Sequence, residues 1–479
     1  MSKKKILSLT LALIGGISLL ALTSCNDNTL EPESVTESQA EVVESSSGIE
    51  FTLSDDGSYY IISGYNGTAK KIVCGDTHKN LPIKEIGNNA FANTSIETVK
   101  IADSITKIGE YAFFNCDELT QINLGDGLKE IGEYSFSACK LLSHVTFPEG
   151  FTTIGNNAFF SSQIISVNIP ESIECIGLNA FDSCPSLRYS RYDNAYYLGN
   201  PDNKYVALIT TVEGLLLKEE KTPTTQKSYS VHVDAKIIAS GAFENHKSLE
   251  KVTISQNTIA IGDLAFANCS NLNSVTLPQS LKSIGVSAFA YCTKLTSINL
   301  PTELTDLGDG AFRSCGLTVA VIPNSVKEIA SYTFIDCKSL TKINLGSSVK
   351  SIGSFAFFGC ENLAEVILSD YFQSKLTNIG AFAFDECKHL KTIYLPSSIT
   401  SIGEKAFSDY VDKIYCFHTK EQWASTGLSN AETFASHKAK VYLYSENTPT
   451  LNAEGTGFDG KYFKIDEEGR LIDWIFVQA

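Results

Sequence analysis

Apolar residues recur along most of this chain at one fixed set of intervals. In "CKLLSHVTFPEGFTTIGNNAF", which runs from Cys139 to Phe159, they fall at Leu142, Val145, Phe147, Phe151, Ile154 and Phe159. The alternation Val145-Thr146-Phe147 predicts a strand with one face inward, and it returns as Ile122-Asn123-Leu124, Val275-Thr276-Leu277 and Ile298-Asn299-Leu300. Pro148, Pro170, Pro278, Pro301 and Pro396 follow such strands at once and end them. After each Ile-Gly pair, the Ala-Phe step and the next Cys have roughly helical spacing. That spacing predicts a short helical return to the next strand.

Aligned on the Gly of the Ile-Gly pair, the units are anchored at Gly87, Gly109, Gly132, Gly155 and Gly177, then at Ala239, Gly262, Gly285, Gly308, Ala330, Gly353, Gly380 and Gly403. Spacing is 22 or 23 residues within each run, except for 27 before Gly380, where "DYFQSK" adds a loop. One strand and one return per unit cannot bury an apolar face alone, so the units must stack as a solenoid. Between the two runs, "AYYLGNPDNKYVALI" holds two strand-like stretches around Gly199-Asn200-Pro201-Asp202-Asn203, a hairpin signal. The last strand, Ile414 to Phe417, is followed by a short capping helix in "TKEQWASTGLSNAETFA", strand-like Lys440 to Tyr444 and a hairpin near Asp459 to Trp474.

The phrases "LPQSLKSIGVSAFAYCTKL" from Leu277 and "LPSSITSIGEKAF" from Leu395 resemble the BspA-like (Treponema-type) leucine-rich repeats of bacterial surface proteins. The resemblance covers roughly Gly48 to Ala479 and includes a hairpin-like entry, "FTLSDDGSYYIISGYNGTAKKI". It implies an α/β leucine-rich-repeat solenoid with an extracellular adhesion or binding role, and it supplies no catalytic motif. Here the cysteine precedes the first Leu of the unit, whereas the commoner leucine-rich pattern places Asn or Cys after the strand.

Ahead of the repeats, Lys3, Lys4 and Lys5 precede an apolar stretch, Ile6 to Leu22, that ends in "LTSC". Leu22 to Cys25 resemble the lipobox of bacterial lipoprotein signal peptides, which implies cleavage before Cys25 and lipidation of its thiol. From Asn26 to Gly48 the chain is acidic, rich in Ser and Thr and free of basic residues, a composition that reads as a tether. The resulting organisation is a signal peptide (1–24), a lipidated cysteine and tether (25–48), an N-terminal β cap (49–82), a first repeat block (83–188), a hairpin insertion (189–235), a second block (236–417) and a C-terminal cap (418–479). The net charge of −16 lacks the clustered basic face that a nucleic-acid partner requires. The expected contact with a membrane is through the lipid alone.

Thirteen cysteines in an exported chain first suggest disulfides. However, Cys116, Cys139, Cys184, Cys269, Cys292, Cys315, Cys337, Cys360 and Cys387 all lie seven residues after the anchor, where other units place Thr94, Ser162, His246 and Tyr410. A position shared by small side chains is an inward packing site, so buried free thiols are expected. No CxxC, HExxH, phosphate-binding loop or GxSxG elbow is present. Neither metal nor cofactor is expected.

Outward strand positions are polar in most units: Lys100, Asn123, Thr146, Asn168, Thr253, Thr276, Asn299 and Asn344. Toward the C-terminus the row becomes apolar or aromatic at Val321, Ile367, Tyr394 and Tyr415, with Val319 beside it. Either this stretch packs under the C-terminal cap or it forms a patch that binds a partner. The leading expectation is a non-enzymatic, lipid-anchored monomer at the cell surface that binds an extracellular or host protein, or a glycan. A structural envelope scaffold and an enzyme acting on extracellular polymers are the alternatives.

Overall fold

The computed structural model describes residues 43–212, 226–368, 370–426, 428, 439–454, 456–468 and 470–475. Each repeat contributes two strands rather than one. The first is the alternating strand read from the sequence, seen for example at Gln121–Asn123, His144–Thr146, Lys251–Thr253 and Lys342–Leu345. The second is a two-residue strand directly before the anchor, such as Lys107–Ile108, Glu130–Ile131, Thr153–Ile154 and Cys175–Ile176. Each kind pairs in parallel with its counterpart in the next coil: Val145 lies opposite Val167, and Ile154 opposite Ile176. The result is a leucine-rich-repeat β-solenoid. One expected strand is absent, since Ile298 to Leu300 form no ladder.

The return is not helical, which corrects the α/β expectation. The residues two and six positions after the anchor adopt left-handed backbone: Tyr111 (φ 56°) and Asn115 (φ 55°) in one unit, Asn157 (φ 54°) and Ser161 (φ 58°) in another. Two such residues four apart break a right-handed helix. Amides that a helix would use internally turn outward to the next coil. Asn89 N–H donates to Glu110 O (2.9 Å), Phe91 to Ala112 (2.8 Å) and Asn93 to Phe114 (2.8 Å). The intervening amides close tight turns, with Ala92 donating to Asn89 O (3.1 Å) and Thr94 to Phe91 O (3.3 Å). The spacing that looked helical is therefore a staircase of two turns. Among the described residues the one α-helix is Lys420–Thr426, in the C-terminal cap.

The anchor glycine follows from coil stacking. A Cβ built on Gly155 would lie 2.5 Å from the carbonyl carbon of Gly132 in the preceding coil, and one on Gly308 would lie 2.5 Å from that of Gly285. Inside the coils the Ala-Phe step builds the core. Phe91, Phe113, Phe136, Phe159 and Phe181 stack ring on ring at 5.1 to 5.4 Å, and the series from Phe243 to Phe384 does so at 4.8 to 5.6 Å. Offset stacking of buried rings adds to their burial energy.

The insertion divides this core into two clusters. Ser190–Tyr192, Ala195–Leu198 and Ala207–Thr211 form an antiparallel meander, and Ala207–Thr211 also pairs in parallel with Ile237–Ile238 to begin the second block. At the N-terminus Ile49–Leu53 and Tyr60–Tyr65 form the expected hairpin, and Tyr60–Tyr65 joins the parallel ladder through Leu81–Ile86. Hydrogen bonding begins earlier than the tether reading placed it, since Ser46 N–H donates to Val73 O (2.9 Å). At the other end Lys413–Cys416, Lys440–Tyr444 and Tyr462–Ile465 extend the sheet, and Leu471–Asp473 closes it antiparallel. Residues 1–24 and Cys25 lie outside the described residues, as does the remainder of "TKEQWASTGLSNAETFA" beyond Leu428.

Candidate interaction surfaces

The cysteine column is interior and chemically quiet. All twelve described cysteines are free thiols, and all but Cys175 are buried. Each column thiol donates to the carbonyl of the stacked Phe in the preceding coil. Cys116 reaches Phe91 O (3.0 Å), Cys139 reaches Phe113 O (3.2 Å) and Cys184 reaches Phe159 O (3.0 Å). In the second block Cys269, Cys292, Cys315, Cys337, Cys360 and Cys387 bond Phe243, Phe266, Phe289, Phe312, Phe334 and Phe357 O at 3.0 to 3.2 Å. Burial pushes the Cys337 thiol up to about 12 and the half-buried Cys175 to about 11. The thiolate, which is the nucleophile, is thereby suppressed. Among the described residues no three His, Cys, Asp or Glu side chains are placed to hold a metal ion.

The strand-face row divides at its C-terminal end. Val319 (42% exposed) and Val321 (56% exposed) stand open on the strand Val319–Val321, and Ile367 is half-buried. Tyr394 is half-buried, stacked on Tyr415 at 5.6 Å and tilted against Tyr371 at 5.5 Å. Tyr415, by contrast, is only 7% exposed. Its hydroxyl donates to Asp473 Oδ1 (2.8 Å), and Lys413 Nζ bonds Asp473 Oδ2 (3.0 Å) while lying over the Tyr442 ring at 5.2 Å. The Asp473 carboxylate raises the Lys413 pKa, and burial raises that of Tyr415. Of the two readings of this row, cap packing describes Tyr415. The exposed candidates are the two valines.

Sequence reading missed a second feature, on the edge formed by the turn staircase. At the left-handed position two after the anchor, six of the thirteen units carry residues that tolerate it, Asn89, Asn157, Asn179, Gly241, Ser287 and Gly310, and in the first block Tyr111 and Tyr134 form a stacked pair there at 4.9 Å. Three successive units instead carry Tyr332 (φ 61°), Phe355 (φ 58°) and Phe382 (φ 56°). A bulky L-residue in this region costs roughly 1–2 kcal/mol, and an aromatic pair returns roughly 0.5–1.5 kcal/mol. The three rings stack at 5.3 and 4.9 Å with planes 8° and 9° apart. Stacking therefore offsets only part of the backbone cost, yet Tyr332 remains 41% exposed. The sequence signal was available, an aromatic at anchor-plus-two in three adjoining units.

Between the blocks lies a cleft of about 690 Å³ lined by Phe181, Cys184, Leu187, Tyr189, Tyr196 and Ile209. Its lining holds Asp182 together with the Cys184 thiol and the Tyr189 phenol, whose pKa values burial raises.

The repeats match the family model described as a BspA type leucine-rich repeat region, in six copies over residues 79–199, 223–341 and 306–430. Among solved structures, a leucine-rich repeat protein from Bacteroides ovatus is 25% identical, covering 83% of this chain and 98% of its own, with a TM-score of 0.36. A leucine-rich cell surface protein from Faecalibacterium prausnitzii is 23% identical over 70% and 96%, with a TM-score of 0.29. A leucine-rich repeat protein from Eubacterium ventriosum is 22% identical over 77% and 94%, with a TM-score of 0.32. No curated protein matches the chain. With its repeats matched across more than half of its length, this chain belongs to the BspA-type leucine-rich repeat family.

Proposed function

We propose that this chain is a surface protein held by a lipid on Cys25, and that it binds a partner protein outside the cell without carrying out catalysis. The observation that carries the reading is the pair Val319 and Val321, 42% and 56% exposed, on a strand face that the preceding units fill with polar residues. Adjacent apolar side chains on an otherwise polar face lose no internal packing when covered by a partner, and their burial stabilises the complex. Family membership and the "LTSC" segment support the location.

The test uses the soluble chain from Gly48 onward, immobilised and exposed to defined extracellular and host-surface proteins. Saturable binding to a subset is expected, with at least about a tenfold loss in the double variant Val319→Ser, Val321→Ser and no fall in its melting temperature. Binding unchanged in that variant would remove the valines from the interface. Absence of saturable binding would favour a structural scaffold. The anchor is tested separately, since Cys25→Ser in the full chain should move the protein from the membrane fraction to the soluble fraction.

A further inference from the structure

We infer that the edge built by Tyr332, Phe355, Phe358 and Phe382 is a docking strip for an amphipathic helix that carries lysine or arginine beside its apolar face. This deepens the protein-binding reading above, and rests on it, by naming a second surface and the chemistry of what it takes.

Three features of the strip define its occupant. The first is length. Ring spacings of 5.3 and 4.9 Å carry the strip over about 10 Å, which matches the roughly 10.5 Å between the first and last anchors of an i, i+4, i+7 helical face. Phe358, 5.7 Å from Phe355 and half-buried, widens the middle. The second is ring orientation. Each ring covers its neighbour's face, and Lys405 lies over the Phe382 ring at 5.9 Å, closing that end of the stack. Ring edges are what remain open along the strip. A sugar ring, which would lie flat on an aromatic face, finds only the end face of Tyr332 there, whereas aliphatic side chains pack well on ring edges.

The third feature is charge. Asp309, Glu386 and Glu404 are exposed around the strip, with Asp336 and Asp385 half-buried beside them, and none makes an ion pair among the described residues. At the open end, Gly310 precedes Tyr332 in the column and bears no side chain to cover that ring face, as Lys405 covers Phe382. A partner cation placed there would meet the Tyr332 face with Asp309 alongside. Arg313, three residues after Gly310, is turned onto Tyr291 at 5.6 Å.

The test compares two synthetic helical peptides with the same leucine face, one flanked by lysines and one by glutamates, binding to the chain from Gly48 onward by fluorescence anisotropy. The decisive variant is Tyr332→Asn, Phe355→Asn, Phe382→Asn, which installs the residue that other units place at this backbone position. Saturable binding of the lysine peptide is expected, weakened about tenfold or more in the triple variant, with a melting temperature that falls by no more than a few degrees. The triple variant keeps every surface charge, so general attraction of a basic peptide to an acidic protein would survive in it. The inference is overturned if the lysine peptide fails to bind, if the triple variant binds it as well as wild type, or if the glutamate peptide binds equally. A large loss of melting temperature in the triple variant would also overturn it, by making the strip structural packing. Loss of binding to extracellular proteins through Val319 and Val321 is read in a separate assay, so either surface can fail while the other stands.

Discussion

The first repeat block and the second share one unit but differ in how the two-residue strands are joined. From Tyr60–Tyr65 to Cys175–Ile176 these strands form one parallel ladder, each coil bonded to the last. In the second block the ladder stops after Asp306–Leu307 and restarts at Glu328–Ile329. At the restart the amides of Lys327 and Ala330 make no backbone bond to the preceding coil. One coil later Lys350 donates to Lys327 O (2.7 Å) and Gly353 to Ile329 O (2.7 Å). The unit at the gap is one of two whose anchor is alanine; at the other, Ala239 N–H still donates to Leu208 O (2.8 Å) of the insertion. Where the anchor is glycine, atoms of the preceding coil lie 2.3 to 3.0 Å from where a Cβ would be. Between two repeat coils that distance leaves no room for a methyl, so Ala330 is the residue to test as the source of the gap.

Both strand ladders are interrupted between these two coils, but the turn side is not. On the turn side, Gly310 N–H donates to Ser331 O (2.9 Å), Phe312 to Thr333 O (2.9 Å) and Ser314 to Ile335 O (2.8 Å) across the same pair of coils. Cys337 Sγ adds a bond to Phe312 O (3.0 Å), and the rings of Phe312 and Phe334 stay stacked at 5.6 Å. The second block is therefore hinged open on its strand side and closed on its turn side.

The comparison breaks most sharply under substitution of the two anchors. Gly155→Val drives a branched side chain into the Gly132 backbone and should destabilise the first block by roughly 3 kcal/mol or more, at the upper end of overpacking. Ala330→Val enlarges a side chain already facing an open gap and should cost less than about 1 kcal/mol. Urea unfolding of the two variants measures the difference. Equal losses would mean that the gap is not set by the anchor.

A smaller effect marks the coil where the second block begins. His246 takes the cysteine position and is fully buried, its ring bonded to Tyr229 (3.3 Å) and Ser248 (3.3 Å). Burial lowers its pKa from 6.5 to about 4. The unfolded chain therefore binds a proton that the folded chain refuses between these values, and stability falls as pH drops through the window. At 1.36 kcal/mol per unit, roughly 2 kcal/mol should be gone by pH 5. His246→Cys restores the residue of the column and should flatten this dependence between pH 6.5 and 4. A slope unchanged in that variant would assign the effect to other groups.

Most of the architecture was legible because stacking repeats its demands. The anchors, the Phe and Cys columns, both hairpins and the capping elements follow from spacing and turn residues, since each coil must meet the same neighbour. The helical return was misread because Ala, Phe and Cys at steps of one and three suit a helix and a turn staircase equally. The discriminating residues were the solvent-facing Asn pairs, such as Asn89 with Asn93, which mark left-handed backbone. The two-residue strands were hidden by their shortness. The gap before Glu328 was not legible from Ala330, since Ala239, the other alanine anchor, keeps its bond to Leu208, and Ile298-Asn299-Leu300 keep the alternation of a strand and form none. Tyr415 could not be separated from Val321 by pattern, because its cover comes from Asp473, 58 residues away.

The cysteine column refines the comparison further. Cys139→Ala and Cys337→Ala each remove a buried thiol and its bond to a Phe carbonyl, which should cost roughly 1 kcal/mol. In the first block the strand ladder shares the load, so unfolding should remain a single transition. At the gap the turn side is backed by few other bonds, Thr318 N–H to Thr296 O (3.1 Å) and Ser325 Oγ to Leu304 O, so Cys337→Ala should split the transition and release the repeats after Ala330 first. Identical single transitions in both variants would show that the gap carries no mechanical weakness.

The finest difference lies in two amides. If the methyl of Ala330 alone holds the strands apart, Ala330→Gly should let the coil close until Lys327 and Ala330 amides reach Thr305 O and Leu307 O, completing the pattern that Lys350 and Gly353 make one coil on. The gain in stability should be a few tenths of a kcal/mol, because two new hydrogen bonds are set against the greater backbone freedom that glycine brings to the unfolded chain. Hydrogen exchange reads the change more directly than melting does. In the native protein the Lys327 and Ala330 amides should exchange far faster than those of Lys350 and Gly353, and in the variant the two pairs should converge. Persistent fast exchange at Lys327 would place the cause of the gap in the strand face around Ile298 to Leu300, where the other ladder also stops.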